Sequence, residues 1–216
     1  ITSGTEVNRI IPSIANSDGI SCLSYSPNSE YLLAGGINGE ILLFNLLTDQ
    51  EEYFFYGHQD WVNQINFLQN GDQFVSASRD GLAILWDLNS GRFIRSFVGH
   101  NGDVRSAIQI ANTNLIITGS EDQEIIVWNS ETGEAVGSPL KGHLGPINDL
   151  AILPNTNYLL SCAEDNTLQV WDVNRQQLMH RYTDLSDLFT SLQFAGSGKR
   201  VITGHSSGIG YIWSAS

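Results

Sequence analysis

Residues 57–98 read GHQDWVNQINFLQNGDQFVSASRDGLAILWDLNSGRFIRSFV. Apolar residues recur here with a period of two rather than 3.6, the pattern of strands with one buried face. Val62, Ile65 and Phe67 open a first strand, and Gln73 to Ser78 make a second. Leu82 to Asp87 make a third, and Arg92 to Val98 a fourth. Asp80-Gly81, between the second and third, predicts a tight hairpin turn, because glycine accepts a positive φ without steric cost. Asn89-Ser90-Gly91 turns the chain again. The product is a small four-stranded antiparallel sheet.

The same unit returns along the whole chain. Gly57-His58, Gly99-His100 and Gly142-His143 recur at intervals of 42 and 43 residues. Phe44, Trp86, Trp128, Trp171 and Trp213 recur at 42, 42, 43 and 42. Ala34, Ser76, Thr118, Ser161 and Thr203 stand ten residues before those aromatics. A fixed period of this length is the mark of a repeat architecture. No segment of ten or more residues carries a helical period, so the expectation is all-β, with about 20 strands in five repeats.

Glycine-histidine, a strand, a turn with aspartate and then Trp-Asp, at a period of 40–45, resembles the WD-repeat family. The literal Trp-Asp stands at Trp86-Asp87 and Trp171-Asp172, softened to Trp128-Asn129, Trp213-Ser214 and Phe44-Asn45. The resemblance implies a β-propeller of five four-stranded blades, either a closed ring or part of a larger one. The expected domain is a single propeller over 1–216, with repeats near 14–56, 57–98, 99–141, 142–182 and 183–216. Residues 3–11 compare with Ser90-Gly91-Arg92-Phe93-Ile94-Arg95-Ser96-Phe97 and are expected to form the closing strand of the last blade. Such closure would remove two exposed sheet edges. The only methionine is Met179, so a processed chain or a part of a longer one is expected.

The repeated His, Asp and Ser/Thr invite comparison with a catalytic triad. The sets are His58, Asp80, Ser76 and Trp86; His100, Asp122, Thr118 and Trp128; and His143, Asp165, Ser161 and Trp171. An enzyme needs such a set once, and here it appears three times. The resemblance instead implies a buried hydrogen-bond chain in each blade, from turn Asp through His and Ser/Thr to Trp. The end repeats depart from it, with Asn16, Asn38, Ala34 and Phe44 in the first and Asp184, Ser207, Thr203 and Trp213 in the last. Gly204-His205-Ser206-Ser207-Gly208 matches the G-x-S-x-G of esterases, but that elbow must lead into a helix, and here a strand follows. Gly196-Ser197-Gly198-Lys199-Arg200 has the glycines of a phosphate loop without its Ser/Thr or helix. No catalytic residue, cofactor or metal site is therefore expected.

Net charge is −13, and the basic residues are scattered. That argues against nucleic acid, whose phosphates demand a basic stripe, and against an anionic membrane. It leaves a protein or peptide partner. Cys22 and Cys162 are too few for a disulfide framework and are expected to be buried free thiols, in keeping with an intracellular, cytoplasmic protein.

The resemblance also implies where binding occurs: on the face carrying the loops into each first strand and the tight turns. Three positions per blade point there. They are Trp61, Asn63 and Arg79; Asp103, Arg105 and Glu121; Pro146, Asn148 and Glu164; with Gly19, Ser21 and Ile37 in the first blade and Leu188, Thr190 and Ser206 in the fifth. Trp61 stands out, because the other repeats do without Trp there and an aromatic beside Arg79 and Arg105 has the composition of a binding hot spot. Tyr53-Phe54-Phe55-Tyr56 falls in an outermost strand and offers a rim surface instead. A scaffold binding through its face is the first reading, and a structural subunit held by its rim is the alternative.

Overall fold

The computed structural model describes residues 19–183, 187–195 and 198–214. The expected closing strand 3–11, Asn16 and Asp184 lie outside those residues. Among the described residues every regular element is a strand, and they form five separate antiparallel sheets. Blade 1 is β1 (Ile20–Tyr25), β2 (Tyr31–Gly36), β3 (Ile41–Asn45) and β4 (Gln50–Phe55). Blade 2 is β5 (Val62–Phe67), β6 (Gln73–Ser78), β7 (Ala83–Asp87) and β8 (Arg92–Phe97). Blade 3 is β9 (Val104–Gln109), β10 (Leu115–Ser120), β11 (Glu124–Asn129) and the two-residue β12 (Leu140–Lys141). Blade 4 is β13 (Ile147–Ile152), β14 (Tyr158–Ala163), β15 (Leu168–Asp172) and β16 (Gln177–Tyr182). Blade 5 is β17 (Phe189–Ala195), β18 (Arg200–His205) and β19 (Gly210–Ser214), so three of its strands are described.

The turn between the second and third strands is the same in every blade. Its left-handed residue is Gly39, Gly81, Gln123, Asn166 or Gly208, with φ from 60° to 86°. Glycine takes this conformation freely. Gln123 and Asn166 do so where the preceding aspartate accepts a backbone N–H two residues on, from Glu124 and Thr167.

Core formation explains why the unit must repeat. Among the described residues, one face of each of blades 1 to 4 packs on the facing side of the next. Val75, Ala77, Ala83 and Leu85 of blade 2 meet Val104, Ala107, Ile116 and Ile126 of blade 3. Leu33, Ile41 and Leu43 of blade 1 meet Val62, Ile65 and Ile84 of blade 2 in the same way. The glycine of each Gly-His has a packing cause: a Cβ at Gly57, Gly99 or Gly142 would stand 2.7 to 2.9 Å from Cη2 of Trp86, Trp128 or Trp171.

Toward the axis, polar side chains link blades that the cores do not. Gln64 donates to Asp149 Oδ1 (3.0 Å) and accepts from Ser106 Oγ (2.9 Å), while Asp149 Oδ2 accepts from the Leu192 amide (2.9 Å). Blades 2 to 5 thus share one network. Burial raises the Asp149 carboxyl above the usual carboxylate range despite these donors.

Candidate functional site

The repeated quartets are structural. His58 Nδ1 lies 2.8 Å from Asp80 Oδ2 and Nε2 2.7 Å from Ser76 Oγ, which accepts from the Trp86 indole at 2.8 Å. His100, Asp122, Thr118 and Trp128 repeat the chain at 2.8, 2.7 and 2.8 Å. His143, Asp165, Ser161 and Trp171 do so at 3.0, 2.7 and 2.8 Å. Each hydroxyl is spent between His and Trp inside the blade, where no substrate carbonyl can approach. Burial would raise the Asp122 carboxyl, but bonds from His100 and the Asn101 amide outweigh it and bring its pKa down to about 2. Asp80 and Asp165 are lowered by the same balance.

Blade 5 solves the problem differently, and the sequence reading missed it. His205 comes from β18 rather than from the loop before the first strand. Its Nε2 meets Thr203 Oγ1 at 2.9 Å, and Thr203 accepts from the Trp213 indole at 2.9 Å. Nδ1 of His205 is buried without a hydrogen bond, 4.0 Å from Asp187 Oδ2. The expected part for Ser207 in this quartet is therefore corrected: its hydroxyl bonds Asp187, as does that of Ser206. Because β19 follows the turn, the esterase-like Gly204 to Gly208 is a hairpin, and neither serine is joined to the histidine.

The structure brings part of the expected recognition set to one opening, while Trp61, Arg79, Glu121 and Pro146 do not line it. Every blade's first strand carries a bulge directly after its first residue, so that Ser21, Asn63, Arg105, Asn148 and Thr190 fall outside the ladder. A bulge re-aims its side chain. Asn63, Arg105, Asn148 and Thr190 line one opening of about 360 Å³, with Asp103, Glu164, Leu188 and Ser206.

Several of these side chains are already occupied. Ser21 Oγ donates to Val62 O (2.5 Å), Asn63 Nδ2 to Val104 O (2.9 Å) and Asn148 Nδ2 to Phe189 O (2.6 Å). In each case the acceptor is the first strand residue of the next blade, so these are clasps between blades. Arg105 Nη1 instead reaches Asn148 Oδ1 (2.5 Å) and Glu164 Oε1 (2.6 Å), with Nη2 at 3.3 Å from Glu121 Oε1. The expectation that Arg105 is free for a partner's carboxylate is corrected: two carboxylates of its own chain hold it. Arg79 Nε sits 3.4 Å from Asp103 Oδ2, and its guanidinium lies 5.6 Å from the Trp61 ring centroid. Burial and the Glu121 charge raise the Asp103 carboxyl, more than Arg79 and Arg105 lower it. Glu164 and Pro146 are bound to each other, the Glu164 amide donating to Pro146 O at 2.8 Å.

Trp61 itself is 43% exposed, and Leu188 beside the opening is also exposed. Gly19 and Ile37 join each other through a backbone bond of 3.2 Å and do not line the opening. At the rim, Phe55 is buried against Phe74 (centroids 4.8 Å), while Tyr53 and Tyr56 are exposed. Among the described residues no group of three His, Cys, Asp or Glu could hold a metal, and no helix is long and apolar enough to cross a membrane. Cys162 is buried and Cys22, expected to be so, is only partly covered; both are free, and burial pushes the Cys22 thiol up to about 11.

The family model for the WD domain, G-beta repeat, matches residues 9–45, 49–87, 91–129 and 133–172, more than half of the chain. The chain belongs to the WD-repeat family. Each match that falls wholly on described strands starts near an outermost strand and runs through the third strand of the following blade. The matched spans end before β17, where the blade loses its loop histidine. No curated protein matches the chain. WD propellers generally serve as non-catalytic scaffolds for protein interaction.

Proposed function

We propose that this WD propeller binds a peptide or protein segment across the face that carries Trp61 and the opening lined by Asp103, Arg105 and Glu164. The observation that carries this reading is Trp61. Neither the repeat nor the core requires an indole there, yet it stands exposed and backed by Arg79, and Asn63 two residues on lines the 360 Å³ opening. Aromatic anchors of this kind dominate interface energetics. Arg79 and Arg105 are outnumbered by Asp60, Asp103, Glu121, Glu164 and Asp187, three of which they already pair, so the face as a whole is negative. Charge complementarity then favours a segment with an apolar anchor flanked by Lys or Arg.

Affinity capture with wild type, Trp61→Ala and Tyr56→Ser, read by quantitative mass spectrometry, tests it. Loss of Trp61 should weaken binding by about 2 kcal/mol, or roughly 30-fold, with the melting temperature unchanged. Partners kept by Trp61→Ala but lost by Tyr56→Ser would transfer the function to the rim. That second reading rests on the exposure of Tyr53 and Tyr56.

A further inference from the structure

The first strands of blades 2 to 5 line two openings, one toward each end. Asn63, Arg105, Asn148 and Thr190, near their starts, line the recognition opening. Later residues of the same strands, with the hairpins after β9 and β13, line a second opening of about 650 Å³. Charged residues make up 15% of the chain, yet among the described residues Asp149 is the one charged group lining this second opening. Carboxamides stand in place of charge, and they fall into two sets. Gln64, Asn66 and Gln109 are spent on the wall. Gln64 Nε2 donates to Asp149 Oδ1 (3.0 Å), Asn66 Nδ2 to Ala107 O (3.0 Å) and Gln109 Nε2 to Thr113 O (3.0 Å). Asn112, Asn155, Asn157 and Gln193 also line the opening, and among the described residues none of the four makes a side-chain hydrogen bond. Ile152 and Phe194, both half-buried, add apolar wall.

We propose that this second opening binds an uncharged carbohydrate, with sugar hydroxyls on Asn112, Asn155, Asn157 and Gln193 and the C–H face of a ring against Phe194. The chemistry of the lining selects this class by elimination. An anionic ligand finds no cation there among the described residues. A cationic one finds only Asp149, whose carboxylate already accepts from Gln64 and from the Leu150 and Leu192 amides at 3.0, 2.9 and 2.9 Å. A charge brought in would lose its hydration without a free partner. A purely apolar ligand would cover four carboxamides and leave them unpaired. An extended peptide would have to add to an inner strand edge, and that edge is capped. The Ala107 amide donates to Gln64 Oε1, the Ala107 carbonyl accepts from Asn66, and the Leu192 amide donates to Asp149. A sugar needs none of these. Each hydroxyl donates and accepts, each carboxamide offers two donors and a carbonyl, and an aromatic face takes the ring's C–H groups. The inference is independent of the function proposed above, whose opening lies toward the other end of the same strands.

The test is an array of neutral and anionic oligosaccharides probed with fluorescently labelled protein, followed by saturation-transfer NMR on the glycans it retains. The proteins are wild type, Asn157→Leu, Gln193→Leu and Trp61→Ala. Asn157 and Gln193 make no internal side-chain bond, so both leucine variants should melt with wild type. The proposal expects wild type to retain neutral oligosaccharides, and each leucine variant to bind them about threefold to tenfold more weakly, as loss of one hydrogen bond predicts. Trp61→Ala should bind sugar as wild type does, and the leucine variants should keep any partner that depends on Trp61, so the two sites stand or fall separately. Retention of no neutral glycan, or of anionic glycans alone, would overturn the proposal. Undiminished binding by both leucine variants, or loss of binding in Trp61→Ala, would place the sugar elsewhere and overturn it too. Displacement of the sugar by acetyl-dialanine amide at equal concentration would reduce the site to a general amide binder and refute the assignment to carbohydrate.

Discussion

Replacing His100 by alanine tests whether the quartets are structural. The imidazole is buried, with Nδ1 2.8 Å from Asp122 and Nε2 2.7 Å from Thr118. Its loss removes one hydrogen bond to a carboxylate, about 1.5–3 kcal/mol, and one to a hydroxyl, about 0.5–1.5 kcal/mol. Neither partner is fully stranded. Asp122 keeps the Asn101 and Glu124 amides at 2.9 and 3.0 Å, and Thr118 keeps the Trp128 indole at 2.8 Å. The expected cost is therefore about 3 kcal/mol, and for a chain of this size about 6–12 °C in melting temperature. Calorimetry on wild type, His100→Ala and His180→Ala makes the measurement. His180 lies on the wholly exposed β16 and should change stability by less than about 0.5 kcal/mol. If His100→Ala melts with His180→Ala rather than well below it, the buried chain does not hold the blade.

Arg105→Glu sets a third carboxylate beside Glu121 and Glu164 and should lower the melting temperature, by more at low ionic strength than at high, since salt screens the repulsion; an equal loss in both salts would show that the charge is not the cause. Acid should destabilise the blades through Asp80, Asp122 and Asp165: their folded pKa values are depressed, so their stabilisation is present above the unfolded value near 4 and disappears as pH falls toward about 2, the folded value of Asp122. Asp149 acts in the opposite sense, so Asp149→Asn should steepen that acid loss in a melt series from pH 7 to pH 2. Deleting residues 1–11 should leave β19 an open edge and promote aggregation if that segment closes the last blade; light scattering showing a monomer of unchanged stability would refute closure.

The fold was legible because its evidence is arithmetic. The spacing of Trp86, Trp128, Trp171 and Trp213, 42 or 43 residues each time, survives any uncertainty about strand ends, and the Asp-Gly turn fixes hairpin registry. The blade-5 histidine was not legible. His205 reaches the Thr203 hydroxyl from within its own strand, two residues away, whereas the repeat supplies its histidine from a loop 18 residues earlier. Spacing alone cannot show that two routes end at one buried hydroxyl. Internal pairing was hidden for a similar reason. Arg105 and Glu164 are 59 residues apart, and only blade curvature brings them to 2.6 Å.

That pairing changes how the proposed recognition face would work. Asn63 and Asn148 sit at its centre, yet both amides are committed to the next blade's backbone. Arg105 is committed to Asn148 and two glutamates. A partner that displaced any of them would have to replace charge-assisted or partly buried bonds at a cost of about 1–3 kcal/mol each. On the proposed binding face the inner ring of side chains would therefore be a rigid floor, and selectivity would fall to the groups standing above it. Among these, Trp61 and Leu188 would supply exposed apolar area, and Asp60 and Asp187 charge of one sign. Arg79 can move without breaking the ring, because its pairing with Asp103 is 3.4 Å long and solvent-exposed. A partner's Lys or Arg could take its place over the indole and meet Asp103 at once, so one exchange of cations would satisfy both groups.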